Sequence, residues 1–213
     1  MPNWCNNNLE LQGPIEKLEE LSKVIKDGKG LFNHILPIPT ELSDTQSPAR
    51  DETKEQKETN KRLQEKHGFD NWYDWRVDHW GTKWDVDGED SFYQNEIKNV
   101  NGKKTLCLAF DTAWAPPIGI YEELLRQDWA EIRAYYFEGG CDFAGLWLDG
   151  NDDCITVSDN EDRFFEADPL GKELDDYYNI LEHREEYRAE EEHYENEEAK
   201  KDVAKIKEVS ADA

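Results

Sequence analysis

The chain has 213 residues, room for one sizeable core and an appendage rather than two full domains. Fifty Asp and Glu stand against twenty-five Lys and Arg, a formal net charge of −25. That balance repels nucleic-acid backbones and anionic membranes, weighs against direct binding of duplex DNA, and attracts basic partners.

The excess charge is uneven. Residues 159–202 hold eighteen acidic and six basic residues, so about half of the net charge lies in roughly a fifth of the chain. Nearly all the tryptophans, phenylalanines and β-branched runs lie before residue 158. Cys5, Cys107, Cys141 and Cys154 are scattered without a C-x-x-C, a pattern expected of reduced thiols in a cytoplasm. The opening "MPNWCNNN" has neither a basic nor an apolar leader segment, so no secretory signal is expected. No apolar run approaches 18 residues, and no membrane span is expected.

In chain order, "NWCNNNLELQG" alternates into Leu9 and Leu11 and reads as a half-buried strand ending at Gly13-Pro14. Ile15, Leu18, Leu21, Val24 and Ile25 then recur at helical spacing, with Pro14 at the start and Gly28 at the stop. "LFNHILPIPTEL" is extended and proline-punctuated. Residues 44–67 are polar and read as a solvated helix or loop within an insertion spanning about 31–79. "FDNWYDWRVDHW" is dense in aromatics and has no clear period.

Three strands of a meander are predicted next, over 80–86, 91–98 and 104–111, separated by the hairpin signals Asp87-Gly88 and Asn101-Gly102. Pro116-Pro117 opens a helix carrying Ile118, Tyr121, Leu124 and Leu125. Residues 130–140, 143–150 and 154–158 read as strands, and a long acidic helix runs from Pro169 to about Val209. The order points to an α+β fold. It is a ferredoxin-like antiparallel sheet with helices on one face over residues 1–158, followed by an acidic helical extension over 159–213. The insertion and the C-terminal helix are the segments available to cover the second face.

Alternation places Leu106, Leu108 and Phe110 in the core and leaves Cys107, Ala109 and Asp111 on the open face. With 80–86 as a strand, Trp80 and Thr82 share a face with Trp84, and Lys83 and Asp85 point the other way. The open face then gathers Trp4, Asn6, Lys83, Asp85, Asp111, Arg133 and Tyr135, a set of aromatic, amide and paired charges suited to a ligand. The register carries this assembly, since one residue of slip would reverse each strand. Structural ion pairing of Lys83 with Asp85 or Asp111, over a tryptophan core, would produce the same residues.

The stretch "DVDGED" with Glu96 has the acidic alternation of a calcium loop, but Asp90 occupies the sixth position, where the sharp turn needs glycine. No zinc spacing, nucleophile elbow or glycine-rich phosphate loop is present in the sequence, and no metal or cofactor is expected. Asp85 or Asp111 could act as a base if the face were catalytic. The glutamates of the tail, Glu185, Glu186, Glu190, Glu191, Glu192 and Glu195, would suit a basic partner surface. As one continuous helix of about 65 Å, the tail carries a net charge every 5 Å or so against about 1.7 Å for duplex DNA, too sparse to imitate DNA alone.

Four phrases in this order, "MPNWCNN", "LFNHILPIPTEL", "WGTKWD" and "FDTAWAPP", resemble the YubB-like family of ferredoxin-like proteins carried by phages and conjugative plasmids. The resemblance covers about residues 1–150. The matching positions are Asn3, Trp4, Cys5, Asn6, Trp80, Gly81, Lys83, Trp84, Thr112, Trp114, Pro116 and Pro117. It implies a ferredoxin-like domain with an inserted segment and a mobile-element origin, in a bacterial host cytoplasm, and carries no catalytic assignment. The expectation that follows is a non-enzymatic acidic binding protein. It would occupy a basic, nucleic-acid-binding surface on a host defence or DNA-transaction protein, in the manner of a nucleic-acid mimic. The alternative is a nucleotide or short single strand bound on the open face around Lys83, with stacking on tryptophan and Lys83 or Arg133 on phosphate.

Overall fold

The structure, a computed structural model, describes residues 3–48 and 53–211, with the backbone alone described for Glu195, Asn196 and 198–211. It divides into two compact units, Met1–Asp159 and Asn160–Ala213.

In the first unit, β1 (Trp4–Gln12) leads into α1 (Ile15–Lys26). The inserted segment follows as α2 (Leu31–Ile35), α3 (Thr40–Ser43), α4 (Lys54–His67) and α5 (Trp72–Trp80). Then come β2 (Phe92–Val100), β3 (Lys103–Ala113), α6 (Ile118–Arg126), β4 (Glu131–Glu138), β5 (Phe143–Leu148) and β6 (Asn151–Thr156). The strands form one antiparallel sheet in the order β2-β3-β1-β4-β5-β6. β1, β3, β2 and β4 with α1 and α6 make the ferredoxin-like α+β unit, which β5 and β6 extend at the β4 edge.

Local chemistry explains the elements. Along β1, Cys5, Asn7, Leu9 and Leu11 are buried while the intervening residues face the other way. Asn101-Gly102 and Asp149-Gly150 all have positive φ, as two-residue hairpins of matching twist require. Leu9, Leu11, Leu106, Leu108 and Phe110 of the sheet pack on Leu18 and Ile25 of α1 and Ile120, Tyr121 and Leu124 of α6.

The insertion joins this helical layer and does not cross the opposite face. Leu31, Phe32, Ile35, Leu42, Leu63, Trp75 and Trp80 belong to the same core, and the Phe32 ring lies 5.8 Å from that of Phe110. The polar stretch contains α4, which starts on a Thr53–Gln56 capping box and buries Leu63 alone.

Residues 80–86 are not a strand. Asn71 caps α5, its Oδ1 accepting from Asp74 N at 2.9 Å, and the aromatic run coils as far as Trp80. Gly81 then ends the helix at φ 86°, and 81–86 form a loop that leads to one isolated bridge, Gly30 to Asp87. The alternation of Trp80, Thr82 and Trp84 therefore straddles a helix end, and the meander has two strands.

In the second unit a short helix, α7 (Asp162–Ala167), comes first, and the single helix expected from Pro169 is two, α8 (Pro169–Tyr178) and α9 (Ile180–Ala211). Asn179, at φ 48° and ψ 43°, breaks the path between α8 and α9. Arg184 Nη1 and Arg188 Nη2 reach the two Asp162 oxygens at 2.8 and 2.9 Å, and the Arg184 guanidinium lies 4.7 Å from the Phe165 ring centre. The two arginines hold the Asp162 carboxyl below the usual range. Among the described residues no helix is long and apolar enough to cross a membrane.

Candidate functional site

The two tryptophan phrases are packed against each other. A side chain at Gly81 would come within 2.8 Å of Pro116 O, and one at Gly119 within 1.9 Å of His79 O. Only glycine allows that approach of the α5 end to the segment before α6. Thr82, fully buried, donates its hydroxyl to Ala113 O at 3.0 Å, and the Trp80 indole donates to Leu36 O at 2.9 Å.

Asp85 ties the third phrase in. Its Oδ1 accepts from Phe32 N at 2.7 Å and Val86 N at 2.8 Å, and its Oδ2 accepts from Asn33 N at 2.9 Å. It thus caps α2 from a distant loop. Burial pushes its pKa up while the three backbone N–H groups pull it down. Both oxygens are committed to that cap, so Asp85 is a structural carboxylate and not an available base.

With the loop so anchored, Lys83 extends across indole faces. Its Nζ lies 3.9 Å from the ring centres of both Trp84 and Trp114, and Trp4 stands 5.8 Å from Trp84. Trp114 reaches this position at φ 71°, a costly conformation for a bulky residue. Three hydrogen bonds define its surroundings. Trp114 N donates to Asn3 O at 3.0 Å, and Thr112 Oγ1 donates to Ala115 O at 2.7 Å while accepting from the buried Asn7 amide at 2.9 Å.

Asp111 closes the site on the sheet. Asn6 Nδ2 donates to its Oδ1 at 3.0 Å, and the Tyr93 hydroxyl donates to its Oδ2 at 2.5 Å. That bond holds the Tyr93 hydroxyl pKa above its usual value. Tyr93 arrives there through an irregularity in β2 pairing between Phe92 and Gln94, which turns it toward the open face. Trp4, Trp84, Tyr93 and Asp111 line a cleft of about 480 Å³.

Of the residues expected on one face, Trp4, Asn6, Lys83 and Asp111 meet here, and Asp85 lies beside them in its capping role. Arg133 and Tyr135 do not join them. Their β1 partners are Glu10 and Asn8, so Arg133 lies about 13 Å along the strand from Asn6, and its Nη1 donates to Tyr135 Oη at 3.0 Å. Sequence reasoning left out Trp84, Trp114 and Tyr93 as site residues. The "FDTAWAPP" phrase marks Trp114, whereas no local signal marks the β2 irregularity that exposes Tyr93.

The tail glutamates Glu185, Glu186, Glu190, Glu191 and Glu192 are exposed on α9, and the side chain of Glu195 lies outside the described residues. Among the described residues no group of three or more His, Cys, Asp or Glu is placed to hold a metal ion.

No family model matches the chain, and no curated protein matches it. Among solved structures, it is similar to the crystal structure of protein api92 from Yersinia pseudotuberculosis, described under the family model DUF1281. That similarity covers 75% of this chain and 96% of the other, at 12% identity and a TM-score of 0.35.

Proposed function

We propose that this protein is a non-enzymatic binding protein that engages a basic surface on a partner protein. The observation that carries the reading is the charge on α9. From Glu182 to Glu198 nine glutamates stand against two arginines, and those arginines are tied to Asp162. That segment is about 24 Å long, so it presents one net charge per 3.5 Å or so, about half the density of duplex DNA. It suits a basic patch better than imitation of a long duplex. The YubB-like resemblance adds the narrower proposal that the partner is a DNA-transaction or defence protein of a bacterial host.

The test is to capture partners on the tagged full chain at low salt, identify what elutes as salt rises, and repeat with Glu185, Glu186, Glu190, Glu191 and Glu192 changed to Lys. A basic nucleic-acid-handling protein that elutes with salt and is lost with the changed chain supports the reading. A complex indifferent to both salt and charge reversal overturns it.

The second reading, a nucleotide or short single strand at the Lys83 face, draws on the exposed Trp4 ring for stacking. Lys83 is occupied by two indole faces and Arg133 is distant, so the phosphate has a poor clamp. If neither AMP nor oligothymidylate perturbs tryptophan fluorescence, this reading fails.

A further inference from the structure

We propose that the cleft walled by Trp4, Trp84 and Tyr93 receives an arginine side chain of the partner. The guanidinium stacks on an indole face and forks onto Asp111. The proposal rests on the basic-partner reading above and specifies where one side chain of that partner goes.

Exposure is the first argument. Trp4 is 49% exposed, Trp84 40%, Tyr93 72% and Trp114 41%, although the same unit buries Trp75, Trp80 and Trp147 almost completely. Large aromatic groups left in water singly are unremarkable, but four gathered at one end of a sheet form a contact surface.

The second argument is rigidity. Trp84 precedes Asp85, which three backbone N–H groups fix in place, and Trp4 lies at the start of a central strand paired on Ala113. The Tyr93 ring is oriented by its bond to Asp111. Little ordering entropy remains to be lost on binding.

Charge sets the ligand class. Asp85 and Asp111 line the cleft itself, while the neighbouring Lys83 ammonium is held against the Trp84 and Trp114 rings. A phosphate would meet carboxylates, whereas a cation meets carboxylates and π faces together. Each Asp111 oxygen accepts one hydrogen bond within the protein, leaving lone pairs on both for an incoming donor.

Arginine fits better than lysine. A guanidinium is planar, weakly hydrated and able to donate two parallel bonds to one carboxylate while stacking on a ring. The protein already makes such a stack elsewhere, with the Arg76 guanidinium 4.7 Å from the Trp80 ring centre and 5.2 Å from that of Trp72.

The experiment titrates the full chain with hexa-arginine and with hexa-lysine, following tryptophan fluorescence. It is repeated with Asp111→Asn, Trp4→Ala, Tyr93→Phe and the five-residue Glu→Lys variant of α9, each checked for an intact melting transition. The expected result is about tenfold tighter binding of hexa-arginine, the scale of one stacked and hydrogen-bonded cation. Asp111→Asn and Trp4→Ala should each reduce that ratio to near one. The α9 variant should weaken both peptides and preserve the ratio. Tyr93→Phe and Asp111→Asn leave the side-chain volume nearly unchanged, so the test survives a Trp4→Ala chain that does not fold. Equal binding of the two peptides, lost only with the α9 variant, overturns the arginine site and leaves the basic-partner reading standing. Binding of neither peptide overturns both.

Discussion

The Lys83 ammonium lies 3.9 Å from the ring centre of Trp114 and equally close to that of Trp84, so the cation of "WGTKWD" is held by a tryptophan from "FDTAWAPP". In a chain of net charge −25, this lysine contacts aromatic faces, and none of the ion pairs of the described residues involves it. Lys83→Met keeps the aliphatic stem and removes the charge. It should cost about 1 kcal/mol of stability in a denaturant titration, and Lys83→Arg should recover most of it. An unchanged midpoint with Met would mean that the stem alone matters.

Trp114 occupies left-handed backbone at φ 71°. Trp114→Gly and Trp114→Ala both lose the ring over Lys83, but only glycine adopts that backbone without steric cost. The glycine variant should therefore be about 1 kcal/mol more stable than the alanine variant. Equal stabilities would place the strain elsewhere.

Gly119 leaves His79 O no room for a side chain, the contact being 1.9 Å from where a Cβ would sit. Gly119→Ala must push the start of α6 away from the end of α5. The expected loss is about 3 kcal/mol, with disturbed emission from Trp84 and Trp114.

Glu41 supplies a pH dependence. Lys66 Nζ at 2.6 Å and His67 Nε2 at 2.8 Å share its Oε2 and bring its pKa from 4.5 down to about 2. A depressed carboxylate pKa stabilises the fold above the unfolded value, and that contribution is lost as pH falls through the folded value. Melting temperatures of the wild type and Glu41→Gln should differ most above pH 4.5 and converge toward about pH 2. A constant offset across that range would assign the difference to packing.

The strands β1 and β3, the helices α1 and α6 and the Asn101-Gly102 hairpin were legible because each is specified locally, by alternation, by helical spacing or by a turn that needs positive φ, whereas Asp87-Gly88 turns no hairpin because no strand precedes it. The split of the chain's acidity toward its second unit is likewise written in composition alone. The segment 80–86 was not legible. Its polar and apolar residues alternate as a strand's would, but Asn71 and Gly81 delimit a helix ending at Trp80, and Asp85 is drawn away to cap α2.

The site belongs to the tertiary level for the same reason. That Lys83 neighbours a tryptophan, that Trp4 and Asn6 share a strand face, and that the chain is strongly acidic can all be read from the order of residues. Only the folded chain decided that Trp84 is outside and Trp80 inside, that Tyr93 turns onto Asp111, and that Arg133 stays apart. Those outcomes depend on glycine contacts, a pairing irregularity and a distant cap, all made between residues far apart in sequence. Periodicity records only what one element needs from its own neighbours.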